Sequence, residues 1–137
     1  MTHTPAWEEI EHTADWALHV YGADLRMLFE NSAGGMLSLI DGEADPQGTP
    51  FRQIIELEAP DQETLLVDWL NELLYLIEEG MLPTEVTIRR ITGQELEAEV
   101  TGGPARNLKK HIKAVTYHNL SIRRTSEGYE TTLVFDV

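Results

Sequence analysis

The residues best suited to chemistry are carboxylates at two distant places in the chain. Glu11-His12-Thr13-Ala14-Asp15 lies in the loop expected after a first strand, and Phe135-Asp136-Val137 stands at the far end. A hard cation such as calcium or magnesium takes oxygen ligands, and calcium accepts carboxylates, backbone carbonyls and water together. Asp15 and Asp136 would supply such oxygens, a terminal carboxylate on Val137 would add another, and Asp41, just beyond the first expected helix, is a third acidic candidate. On spacing alone, aspartates at loop boundaries are more often turn formers and caps than ligands. His12 and His118 fit metal ligation or acid–base work, although a histidine beside a strand is more often a hydrogen-bonded structural residue.

The run Lys113-Ala114-Val115-Thr116-Tyr117-His118 is the other unusual stretch. As a strand it sends Lys113, Val115 and Tyr117 to one side and Ala114, Thr116 and His118 to the other. It then either displays a lysine and a histidine near the acidic residues or is an ordinary strand with mixed faces. Arg106, Lys109, Lys110 and Lys113 form a local basic patch, with Lys109 and Lys110 in a glycine-rich basic loop expected over residues 102–111.

Several reaction classes lack their motifs. There is no Gly-x-Ser-x-Gly elbow, no phosphate-binding loop ending in Lys-Ser or Lys-Thr, and no His-Glu-x-x-His zinc helix. The absence of cysteine removes thiol nucleophiles, cysteine-based zinc sites and disulfides. Aspartates around a metal can activate water for phosphoester hydrolysis, and that reading stays open beside a pure interaction module.

With 24 Asp and Glu against 10 Lys and Arg, the formal charge is -14. Such a surface repels nucleic acid and anionic membrane and favours cations or basic protein partners, so strong direct nucleic-acid binding is not expected. The imbalance is uneven: residues 1–80 hold 17 acids and two bases, and residues 81–137 hold seven acids and eight bases. No window approaches the roughly 18 to 20 apolar residues of a membrane span, and the start lacks the pattern of a secretory signal. The expectation is a soluble, cytoplasmic protein without membrane partners.

The elements that must position these groups follow from periodicity. Strands are expected over Trp7–Glu11 and Trp16–Tyr21, the latter with Trp16, Leu18 and Val20 on one face. Asp24 is an N-cap for a helix whose apolar stripe runs from Leu25 to Ile40, and Gly34-Gly35 within it implies close packing on a strand or a kink. Turn residues fill Asp41–Pro50, and Phe51–Glu58 reads as a strand. Asp61 caps a second helix with its stripe from Leu65 to Ile77, stopped at Gly80. Further strands are expected at Glu85–Ile91, Leu96–Thr101, Lys113–Arg124 in two pieces, and Tyr129–Val137. The fold class is α+β, with two amphipathic helices packed on a mostly antiparallel or mixed sheet of about seven or eight strands. Residues 1–137 fit a single domain, which at this size buries roughly 68% of the surface of its unfolded chain.

Five ordered segments together resemble the archease family. They are Glu11–Asp15, the helix from Asp24 to Ile40 with its Leu-Phe-Glu-Asn-Ser-Ala centre, Leu65–Tyr75, Lys113–His118 and Phe135–Val137. The resemblance implies an accessory protein, not itself an enzyme, that activates a GTP-dependent tRNA-splicing RNA ligase by promoting its guanylylation and multiple turnover. It further implies a calcium site formed by Asp15, Asp136 and Val137, with Asp41 a less direct carry-over, and a functional cation at Lys113, Lys109 or Lys110. Trp16 departs from the smaller aliphatic residue expected after the motif, a change expected to alter packing more than metal binding.

Overall fold

The computed structural model describes residues 5–10, 16–117 and 119–137. Its elements in chain order are β1 (Trp7–Ile10), β2 (Trp16–Gly22), α1 (Leu25–Ile40), β3 (Glu43–Ala44), β4 (Phe51–Glu58), α2 (Gln62–Glu78), β5 (Met81–Ile91), β6 (Glu95–Arg106), β7 (Ala114–Val115), β8 (Arg123–Thr125) and β9 (Gly128–Asp136).

Both helices begin as their sequences dictate. The Asp24 carboxylate accepts the Met27 N–H at 2.8 Å, and Asp61 accepts that of Thr64 at 2.7 Å, so each satisfies a backbone donor that the first helical turn leaves without a partner. Glu63 places negative charge in the first turn of α2, where the helix dipole favours it. At its other end α1 stops at Asp41, whose left-handed backbone (φ 52°, ψ 53°) turns the chain while its N–H bonds the Leu37 carbonyl.

The strands form two antiparallel sheets, where the sequence suggested one. In the first, β1-β2-β9-β7 are hydrogen-bonded in that order and β8 also pairs with β9. In the second, the long β6 is central, pairing with β4 and β3 along one edge and with β5 along the other. Packing explains the division. Leu18, Val20, Leu133 and Phe135 of the first sheet, and Ile55, Ile88, Leu96, Ala98 and Val100 of the second, are all buried in one core with the apolar faces of α1 and α2. Helix α1 touches both β2 and β5, so it ties the two sheets together. Trp69 of α2, fully buried, donates its indole N–H to the Phe29 carbonyl of α1 at 3.1 Å and fixes the helix pair.

The paired glycines in α1 are a packing device. A Cβ on Gly35 would stand 3.0 Å from Leu18 and 3.1 Å from Trp7, and one on Gly34 would stand 3.2 Å from Trp7. Glycine therefore lets the Trp7 ring of β1 lie directly on the helix, which outweighs its cost of about 1 kcal/mol in helix propensity.

Several boundaries differ from the sequence expectation. β5 starts at Met81 instead of Glu85, and β6 runs on to Arg106, so the first half of the expected 102–111 loop is strand. The extension has partners on both sides: Ala44 and Glu43 of β3 pair with Ala105 and Arg106, and Met81 and Leu82 pair with Pro104 and Gly103. β3 itself lies within the expected Asp41–Pro50 turn region. Conversely, the expected strand over Lys113–Arg124 is reduced to Ala114–Val115 and the start of β8. Buried Ile112, Val115 and Ile122 pin this irregular segment, and α2 side chains serve its backbone: Asn71 accepts the Val115 N–H at 3.1 Å and Glu63 accepts that of Ile122 at 3.0 Å.

Candidate functional site

The first sheet brings several of the candidates to one end. Trp16, the residue after Asp15 in the sequence, lies opposite Phe135, the residue before Asp136. On the other side of β9, Ala114 lies opposite Asp136, and the Lys113 N–H donates to the Asp136 carbonyl at 2.8 Å. Pairing with β7 and the Lys113 N–H hold the backbone of Asp136, and β2 pairs its neighbour Phe135, while Asp136 and Val137 remain exposed.

Asp41 reaches the same region from the end of α1. The carbonyl of its neighbour Ile40 accepts two backbone donors, Lys109 at 3.0 Å and Lys110 at 3.2 Å, which fastens the segment after β6 to the helix terminus. The Lys110 ammonium lies 3.6 Å from the centroid of a Trp16 ring, within cation–π range. A cavity of about 310 Å³ opens here, lined by Trp7, Glu9, Ser38, Asp41 and Lys110 among others.

Asp41, Asp136, Val137, Lys109, Lys110 and Lys113 thus belong to neighbouring structural features, whereas Asp15, His12 and His118 lie outside the described residues. Among the described residues, no group of three or more His, Asp or Glu side chains is arranged to hold a metal ion. The chemistry of the described donors, Asp41, Asp136 and Val137, is that of oxygen ligands and fits a hard cation.

The run Lys113–His118 does not display alternate side chains as a long strand would. Val115 is buried, Lys113 and Tyr117 are exposed, and the Tyr117 hydroxyl donates to Asp68 of α2 at 2.9 Å. Partial burial, this bond to Asp68 and the negative charge of Asp68 and Asp61 raise the Tyr117 hydroxyl above the ordinary tyrosine range. It therefore serves here as a neutral donor tying the segment to α2.

Two participants escaped sequence reasoning. Trp16 serves as the platform for Lys110, and Glu9 lines the Asp41 cavity from β1. The unexpected aromatic at position 16 was the available signal for the first; nothing in the spacing marked Glu9. A larger cavity of about 520 Å³ opens around Tyr21, Met27, Asn31 and Tyr129, where β2 and β9 end at Gly22 and begin at Gly128. None of the sequence-derived candidates lines it.

Residues 7–137 match the archease protein family. Similar relatives include protein archease of Methanosarcina barkeri, 36% identical over 140 residues that cover 96% of this chain and 95% of the relative. Protein archease of Archaeoglobus fulgidus is 37% identical over 135 residues, covering 93% and 96%. Among solved structures, the crystal structure of an archease from Thermotoga maritima, described as a possible chaperone, aligns over 100% of both chains with a TM-score of 0.72 and 28% identity. The solution structure of a Methanobacterium thermoautotrophicum protein aligns over 96% of this chain and 99% of its own, with a TM-score of 0.66 and 27% identity.

Proposed function

This chain belongs to the archease family, and on that premise we propose that it is a non-enzymatic accessory protein that activates a GTP-dependent tRNA-splicing RNA ligase. In this reading it promotes guanylylation of the ligase and its multiple turnover, acts in the cytoplasm, and has no membrane role. No described helix is long and apolar enough to cross a membrane. The formal charge of -14 suits docking on a basic protein surface better than direct capture of RNA.

The observation that carries the reading is the β2–β9 register, in the context of family membership. Trp16 opposite Phe135 makes the residues flanking Asp15 and Asp136 neighbours across a sheet, although they stand 119 positions apart in the chain. Asp15, Asp136, Val137 and Asp41 are the groups that would hold calcium, which when bound supplies divalent charge to an otherwise acidic tip. Lys113 is tied to Asp136 through its backbone, and Lys109 and Lys110 to Ile40, so each lysine is a candidate contact beside that tip. His12 and His118 remain candidates from the sequence.

The test is guanylylation of a cognate ligase with and without this protein. Asp15→Ala and Asp136→Ala are expected to abolish stimulation while circular dichroism and melting remain those of a folded protein; undiminished stimulation by both variants overturns the proposal. Phosphoester turnover by the purified chain without ligase would establish a stand-alone metal hydrolase instead. Stimulation that survives removal of all divalent cations from the accessory protein would establish a metal-independent interaction module.

A further inference from the structure

We propose that Lys110, held over Trp16, is the resident counter-cation of the Asp41 cavity and opposes the binding of a divalent cation at the acidic end of the molecule. The inference rests on the proposed metal site and adds to it a residue that sets the strength of cation binding.

Three features support this role. First, α1 has no basic side chain in its last turn, although its carbonyl end carries partial negative charge and the Asp41 carboxylate follows immediately. Lys110 supplies the missing positive charge from a remote part of the sequence, because the two backbone bonds from Lys109 and Lys110 to the Ile40 carbonyl hold its main chain at that terminus. Second, Lys110 lines the same cavity as Asp41 and Glu9. Lys110 thus borders the same space as these two carboxylates and brings a positive charge to its rim.

Third, the ammonium is positioned by an aromatic face. Every ion pair among the described residues uses an arginine or His19 on its basic side, and none uses a lysine. The Lys110 nitrogen instead sits 3.6 Å from the Trp16 ring centroid. A cation–π contact orients the charge without an ion pair to any described carboxylate, leaving the oxygens of Asp41 and Glu9 available for a stronger cation. Trp16 is thus a positioning residue acting through Lys110.

The consequence is electrostatic. Coulomb's law sets the scale: at a separation on the order of 8 Å in a water-like medium, a single positive charge would weaken binding of a divalent ion about fivefold at low salt. Removing the charge should recover that factor, and removing the aromatic platform should recover it too, by letting the lysine swing into solvent.

Calcium titrations by calorimetry and tryptophan fluorescence, on the wild type, Lys110→Met, Lys110→Arg, Trp16→Leu and the Lys110→Met/Trp16→Leu double variant, test this directly. Lys110→Met keeps an apolar stem and should bind calcium about fivefold tighter, whereas Lys110→Arg keeps the charge and should bind as the wild type does. Trp16→Leu should also tighten binding, and the double variant should bind no tighter than Lys110→Met, because both changes remove one interaction. The gain should shrink as salt is raised. Wild-type binding that Lys110→Met leaves unchanged or weakens overturns the counter-cation role alone, as do additive effects of the two substitutions. No saturable calcium binding in either the wild type or Lys110→Met overturns the metal site as well. Binding seen only in Lys110→Met supports both.

Discussion

The two sheets solve different problems with the same core. In the second, β6 is paired along both edges over nearly its whole length, and its outer face is braced by charge: Glu99 is bonded by Arg52 from β4 and by Arg89 from β5, and Arg90 lies 3.9 Å from Glu97. In the first, β9 pairs with the seven-residue β2 along one edge but only with two- and three-residue strands along the other, and the chain between those takes backbone partners at Val115 and Ile122 from side chains of α2. Regular ladders make a rigid wall, whereas short strands leave ends and loops from which functional groups can project. Asp136, Val137 and Lys113 belong to the second kind of construction.

The largest expected effect is in the rigid sheet. A Cβ on Gly102 would stand 1.9 Å from the Leu82 carbonyl and 2.8 Å from the Phe51 ring, so Gly102→Ala must displace β5 from β6. It should cost about 3 kcal/mol or more, read by denaturant unfolding, and should lower protection across β4, β5 and β6 together. A loss confined to one strand would show that this sheet is no more cooperative than its neighbour.

Asn71→Ala should act more locally. It removes the acceptor of the Val115 N–H, at a cost of about 1 to 3 kcal/mol, and hydrogen exchange should rise over residues 112–117 while β6 stays protected. Uniform acceleration through both sheets would erase the distinction between them.

The smallest effect is a pH-dependent one at the start of α2. Hydrogen bonds from Thr64 hold the Asp61 carboxyl below its ordinary value of 3.8. A depressed folded value means that the stabilisation is present above the unfolded value and is lost as pH falls through the lower folded one. Asp61→Ala should therefore melt lower than the wild type at neutral pH, with the gap closing in acid below 3.8. Because Glu63, in the same turn, accepts the Ile122 N–H, the fraying should also reach residues 120–122. A gap that persists unchanged in strong acid would assign the loss to something other than the charged cap.

Much of this architecture was legible in the residues. Asp24 and Asp61 announced helix starts, the apolar stripes announced the buried faces, and Gly34-Gly35 announced a close approach that Trp7 and Leu18 provide. Less legible were β3 and the extension of β6, because a strand through Gly102-Gly103-Pro104 runs against local preference and forms only where partners lie on both sides. The run Lys113–His118 misled in the other direction: its β-branched and aromatic residues suit a strand, yet past Val115 the segment is pinned by buried side chains and by α2.

For the site, the sequence alone determined the kinds of group available: oxygen donors at Asp15, Asp41, Asp136 and Val137, basic residues between 106 and 113, and no thiols. Those follow from side-chain chemistry, which does not depend on the fold. The tertiary structure decided their adjacency. Register across β2 and β9 set Trp16 against Phe135, and two N–H groups on one helix carbonyl set Lys110 beside Asp41 and over Trp16. Such contacts join residues far apart in the chain, and their energy is realised only once the shared core has brought the elements together.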